Sequence, residues 1–194
     1  MNTNIVGVAQ ELFNSLDNNT TLKFLDVSGC DLRFKGCVQM SHCLKKNKVL
    51  ETLNMSNNGV MDKGSMLLKG ALEANKTLKH LSLAYNKIGF TGSEALAQVL
   101  TRVNRTLESL NLGYNMIDDK GLELFKQLVL RNDVLSGLNL HMQGFEWKVV
   151  TENGINPKHV PRIPASPRPS KQRDGFNSDT PRRKNLQDCK ISIF

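Results

Sequence analysis

Cys37, His42 and Cys43 stand within seven residues of one another in this 194-residue chain and bring together two thiols and an imidazole. Two thiolates and an imidazole would suit zinc, but a closed tetrahedral site takes four ligands and the local sequence supplies three. No G-x-x-x-x-G-K-[ST] phosphate loop, no G-x-S-x-G elbow and no H-E-x-x-H pair occurs. The expectation is a chain that is not an enzyme, with no catalytic set, no cofactor and no metal. The chemistry left is recognition. Tyr85 and Tyr114 are the two tyrosines of the chain, and tyrosine carries much of the energy at protein interfaces.

What must position these residues is a repeat. In residues 77–105 Leu78, Leu81 and Leu83 read L-x-x-L-x-L, Asn86 and Ile88 follow, and Gly92 precedes a helical apolar set of Leu96, Val99 and Leu100. One such strand, turn and helix cannot bury its own apolar faces, so neighbours must repeat it. The first leucine recurs at Leu22, Leu50, Leu78, Leu107 and Leu135, in steps of 28, 28, 29 and 28. Gly36, Gly64, Gly92 and Gly121 keep the same register, as do Asn19, Asn47, Asn75, Asn104 and Asn132. Helix cores stack as Met40/Cys43/Leu44, Leu68/Ala71/Leu72, Leu96/Val99/Leu100 and Phe125/Leu128/Val129, so the repeat itself asks for Cys43 as a core residue. Asp62, Thr91 and Asp119 stand where helix N-caps belong, and Thr91 with Glu94 spells a capping box. The extra residue of the 29-step falls between Leu100 and Asn104, in the helix-to-strand connection.

These motifs resemble leucine-rich repeats of the ribonuclease-inhibitor-like class, and the N-x-T-L-x-x-L-x-L-x-x-N-x-I phrasing at 75–88 is most similar to NOD-like receptors and small intracellular repeat-only proteins. The resemblance implies an α/β right-handed curved solenoid, a horseshoe segment with a parallel sheet inside and α-helices outside. It also implies that Cys30 replaces the ladder asparagine found at Asn58, Asn86 and Asn115. The ATPase and death-fold domains of the receptors are absent, so no nucleotide switch follows. The Ran-activating protein shares the repeat class, but no motif here carries its acting residues over; a small-GTPase regulator is retained as an alternative.

Strand alternation sends the leucines inward and the residues between them to the concave face. The candidate protein-binding residues on that face and at the strand exits are Phe24, Asp26, Thr52, Asn54, His80, Ser82, Tyr85, Ser109, Asn111, Tyr114, Asn139 and His141. The partner expected is another protein, held by a rigid pre-ordered surface. Small polar residues of balanced charge argue against nucleic acid on this face.

The domain boundary is placed between 1–147 (a partial first repeat, four full repeats and a terminal strand) and a disordered basic tail at 148–194. Lys+Arg number 16 against 14 Asp+Glu up to residue 147 and 10 against 4 beyond it, so the formal charge of +8 belongs mainly to the tail. Basic-tail binding of nucleic acid is therefore a second alternative. Phe145 and Trp147 are expected to cap the last repeat. Five prolines from Pro157 to Pro169 oppose any core beyond it. Ser166-Pro167, Thr180-Pro181, Arg182-Arg183-Lys184 and the C-terminal Ser192-Ile193-Phe194 are short linear candidates for phosphorylation, nuclear import and PDZ docking. The N-terminus lacks a basic n-region and an apolar h-region, and no apolar run approaches the ~20 residues of a membrane span. The expectation is a cytoplasmic chain with reduced cysteines, open to nuclear entry. The first helix has no strand before it, which reads as a truncated form of a longer repeat protein.

Overall fold

The computed structural model describes residues 5–140 and 192–193. Helices and strands alternate as α1 (Ile5–Leu16), β1 (Phe24–Asp26), α2 (Arg33–Lys46), β2 (Thr52–Asn54), α3 (Met61–Ala74), β3 (His80–Ser82), α4 (Phe90–Arg102), β4 (Ser109–Asn111), α5 (Asp119–Arg131), β5 (Gly137–Asn139) and β6 (Ser192–Ile193). Strands β1 to β5 pair in parallel and in sequence order, and β6 joins the outer edge of β1 antiparallel. The helices stack in the same order, α1 on α2 through α4 on α5, so each repeat packs on its neighbours as a solenoid requires.

The core lies between the two layers. Leu25, Leu53, Leu81 and Leu110 project from the centres of β1 to β4, each at most 1% exposed, and share one buried cluster with Leu44, Leu72, Leu100 and Leu128 from the helices. The expected helix core is buried throughout the described side chains; Val129 lies outside them. The extra residue of the 29-step is absorbed at the end of α4, where Asn104 N–H reaches back to Val99 O at 2.8 Å alongside Val103 N–H at 2.9 Å.

Two asparagine ladders tie the repeats together. At the strand exits, Asn86 Oδ1 accepts from the N–H groups of Asn58 and Val60, Asn115 Oδ1 accepts from Asn86 and Ile88, and the amide nitrogens of Asn58, Asn86 and Asn115 donate to Val27 O, Met55 O and Leu83 O of the preceding repeat. At the helix ends, Asn47, Asn75, Asn104 and Asn132 donate to Leu16 O, Leu44 O, Leu72 O and Leu100 O while their Oδ1 atoms accept from the start of the next strand. All seven are at most 8% exposed, and each meets backbone groups that the turns would otherwise leave unpaired.

The helix starts differ from the sequence expectation. Thr91 and Glu94 form no capping box: α4 begins after Gly89 with no cap from its own repeat. Asp62, from the preceding repeat, does the work, its Oδ1 accepting from Gly89 N–H at 2.7 Å and Gly92 N–H at 3.0 Å. The cap of α5 is Asp118, not Asp119, with Gly121 N–H donating to its Oδ1 at 2.9 Å. A Cβ at Gly92 would lie 2.6 Å from Asp62 Oδ1 and 2.8 Å from Ile88 Cγ2, so any side chain there would push the cap away.

Within the tail expected to be disordered, Ser192–Ile193 pair with β1 as β6; residues 148–191 and 194, with the linear motifs they carry, and Phe145 and Trp147 lie outside the described residues. Cys37 and Cys43 are free thiols but Cys30 is disulfide-bonded, so the cysteines are not all reduced.

Candidate functional site

The strand register sorts the candidate residues into columns on the sheet face opposite the helices. Phe24, Thr52, His80 and Ser109 are aligned Cα to Cα, and Asp26, Asn54, Ser82, Asn111 and Asn139 form the next column. In the first column Phe24, Thr52 and His80 are half-buried and Ser109 is buried. The Nδ1 atom of His80 is buried with no hydrogen-bond partner among the described residues.

The second column is mostly consumed by the fold. Asn54 Nδ2 donates to Asp26 Oδ2 at 3.0 Å, Ser56 donates to Asn54 Oδ1 through both N–H and hydroxyl, and the Ser56 and Ser82 hydroxyls meet at 2.8 Å. Asn54 and Ser82 are each 1% exposed. Their polar groups satisfy neighbours across repeats, so they shape the strand exits and have no surface to offer a partner. Asp26 and Asn111 are half-buried, Asn139 is exposed, and His141 lies outside the described residues.

The strand exits hold the most distinctive geometry. Tyr85 and Tyr114 stack with ring centroids 4.4 Å apart and planes 7° from parallel, while 38% of Tyr114 remains exposed. Both have left-handed backbone, φ 57°. The equivalent position in the first two repeats is Gly29 (φ 72°) and Asn57 (φ 55°), residue types that adopt this region readily. A bulky aromatic does so against steric preference.

Sequence reasoning missed an apolar rim on the loops beside the tyrosines. Phe34, Met61, Phe90 and Met116 lie at or just before the helix starts and are 48%, 54%, 38% and 68% exposed. The loops are in direct contact, since Met61 N–H donates to Asn86 O and Met116 N–H to Ile88 O of neighbouring repeats. Aromatic residues and methionine are enriched at interfaces. The signal available in the sequence was the off-register placement of these residues between the core leucines and the helix set.

Across the opposite, strand-entry side runs a column of alternating charge. Glu51 lies 2.9 Å from Lys23 and 2.9 Å from Lys79. Hydrogen bonds from Lys23 and then Lys79 hold the Glu51 carboxyl at about 2, down from 4.5. The three residues considered as zinc ligands separate: Cys37 and Cys43 are core residues whose burial pushes their thiols up to about 12, and His42 faces outward 3.6 Å from Asp17. Among the described residues no group of His, Cys, Asp and Glu could hold a metal ion, and no helix is long and apolar enough to cross a membrane.

A leucine-rich repeat family model matches residues 18–40, 46–68, 74–97 and 103–126, one match on each full repeat. The sequence has no match among curated proteins. Among solved structures, actin-binding site 2 of leiomodin-1 is 25% identical with a TM-score of 0.62, covering 71% of this chain and 79% of that one. The C-terminal domain of tropomodulin from Caenorhabditis elegans is 15% identical with a TM-score of 0.58, covering 70% and 81%, and agrees in fold. Four matches in the register set by the leucine and asparagine columns leave one assignment: the chain belongs to the leucine-rich repeat proteins.

Proposed function

We propose that this chain is a non-catalytic, regulatory scaffold of the cytoplasm that binds a partner protein at the strand exits, with the Tyr85 and Tyr114 stack as its anchor. The observation that carries this reading is the backbone of the two tyrosines. A position filled by Gly29 and Asn57 elsewhere is filled here by two aromatics at φ 57°, and strain held at a surface point is a mark of function. Phe34, Met61, Phe90 and Met116 extend the apolar contact, and Phe24, Thr52, His80, Asp26 and Asn111 border it on the sheet. Asn54, Ser82 and Ser109 act from below by holding the strands.

The likeness to actin-binding site 2 of leiomodin-1 makes actin the first partner to test. Binding of the full chain to monomeric and filamentous actin, compared with a Tyr85→Ala/Tyr114→Ala double variant of unchanged circular dichroism, is the experiment. Loss of about 2 kcal/mol, or more than tenfold in affinity, in the double variant is the expected result for paired anchors. Equal affinity of the two proteins would remove the tyrosines from the site. If neither binds actin, affinity capture from cells with the same pair of proteins tests the site for other partners.

A further inference from the structure

We propose that the outer face of α3 and α4 is a self-association surface whose occupant is a second copy of this chain. A groove of about 400 Å³ runs between the two helices, bounded by Met66, Gly70 and Glu73 on α3 and by Glu94, Ala95 and Gln98 on α4. The repeat shows why it opens here. In the register of the stack, Gly70 corresponds to His42 in α2 and Gln98 in α4, while Ala95 corresponds to Leu67 in α3 and Leu124 in α5. Between α3 and α4 the smaller residue stands on both sides. A Cβ built on Gly70 would meet nothing nearer than Lys45 Nζ at 4.0 Å, so the fold itself does not fill the gap.

Knob, hole and both signs of charge lie on this one face. Met66 is 54% exposed at one end of the groove, an apolar side chain of the kind the gap beside Gly70 would accept. The rim carries Lys69, half-buried with its Nζ 3.3 Å from Gln98 Oε1. Against it stand Glu73 and Glu94, which form no ion pair among the described residues. A partner of a single charge would be repelled by part of this rim. A second copy is not, because a two-fold contact sets the same patch against itself in reverse.

The repeat register gives the pairing. Helices α3 and α4 run side by side with a 28-residue offset, so Met66 stands level with Glu94 and Gly70 with Gln98. A two-fold axis through the middle of the groove then brings Met66 of each copy level with Gly70 of the other, and Lys69 of each level with the other's Glu94. One operation fills both gaps and joins both pairs of unlike charge. The patch is small beside the ~800 Å² per partner of a standard interface, so the pair forms and parts with concentration. The tyrosine stack lies at the strand exits, outside the groove, and association brings two such stacks into one assembly.

The test is sedimentation velocity of the full chain over a concentration series, where the average mass is expected to rise from that of one chain toward that of two. Gly70→Gln places in the groove the residue that α4 carries at the same position; it favours the helix and meets open space, so the fold is kept and the rise is expected to vanish. Lys69→Glu and Glu94→Lys each set like charges face to face and are expected to weaken self-association by about tenfold or more. An equimolar mixture of these two variants restores unlike pairs at both contacts and is expected to associate as the parent does. A parent chain that stays monomeric throughout the series, a Gly70→Gln chain that still pairs, or a mixture no better associated than its components would overturn the proposal.

Discussion

Tyr114 shows how a residue can be kept against its own local preference. Left-handed backbone costs a bulky L-residue about 1–2 kcal/mol, and an offset aromatic pair returns about 0.5–1.5 kcal/mol. The two nearly cancel, so the stack has little left to give to stability. Tyr114→Asn should therefore leave the thermal midpoint within about 1 kcal/mol of the parent, or raise it, while partner affinity falls. A large loss of stability would mean that the aromatic pair is structural. Tyr85 and Tyr114 were legible as a pair in register, because their spacing follows the repeat. Their left-handed backbone was not, since Gly29 and Asn57 point to such a turn only once the strand exits are superposed. Asn54 and Ser82 illustrate the converse. Alternation assigns them to the sheet face, but each is 1% exposed and its polar group is taken up by Asp26 or Ser56, which alternation does not report.

At the scale of elements, each helix depends on the repeat before it. Asp62 lies in the first turn of α3, yet its carboxylate serves the first turn of α4. Asp62→Ala should lower stability by about 1–2 kcal/mol in denaturant unfolding, the range for loss of an N-cap. Thr91→Ala, at the position where the sequence suggests a cap, should change it by less than about 0.5 kcal/mol. The sheet has its own inter-repeat device in Lys23, Glu51 and Lys79. The Glu51 carboxyl is depressed in the folded state, so its contribution is complete above the unfolded value near 4.5 and is lost as pH falls toward 2. Glu51→Gln should flatten the stability profile between those limits and change little at neutral pH, where exposed pairs contribute weakly. An unaltered acid limb would show that the column does not act as a unit.

Across the whole molecule the repeats form one continuous core, and position along the stack sets the consequence of a cavity. Leu81 sits in the central strand, flanked by Leu53 and Leu110. Leu81→Ala should destabilise by about 2–5 kcal/mol in a single cooperative transition. Leu138, in β5, is only partly buried, and its truncation should remove about 1 kcal/mol because less apolar surface is returned to water. Equal effects at the two sites would contradict nearest-neighbour stacking.

By itself the sequence determined the repeat: where each strand and helix lies, which leucines point inward, and that Asn58, Asn86 and Asn115 hold the turns. These follow from side-chain period and from backbone groups that must be paired, and both recur every 28 or 29 residues. The tertiary structure decided what happens between repeats and between distant segments. It assigned the cap of α4 to Asp62, buried Asn54 and Ser82 beneath their neighbours, stacked Tyr85 on Tyr114 and laid Ser192–Ile193 along β1. Each of these involves atoms 26 or more residues apart, where local propensity carries no information and only the packed chain brings the partners into contact.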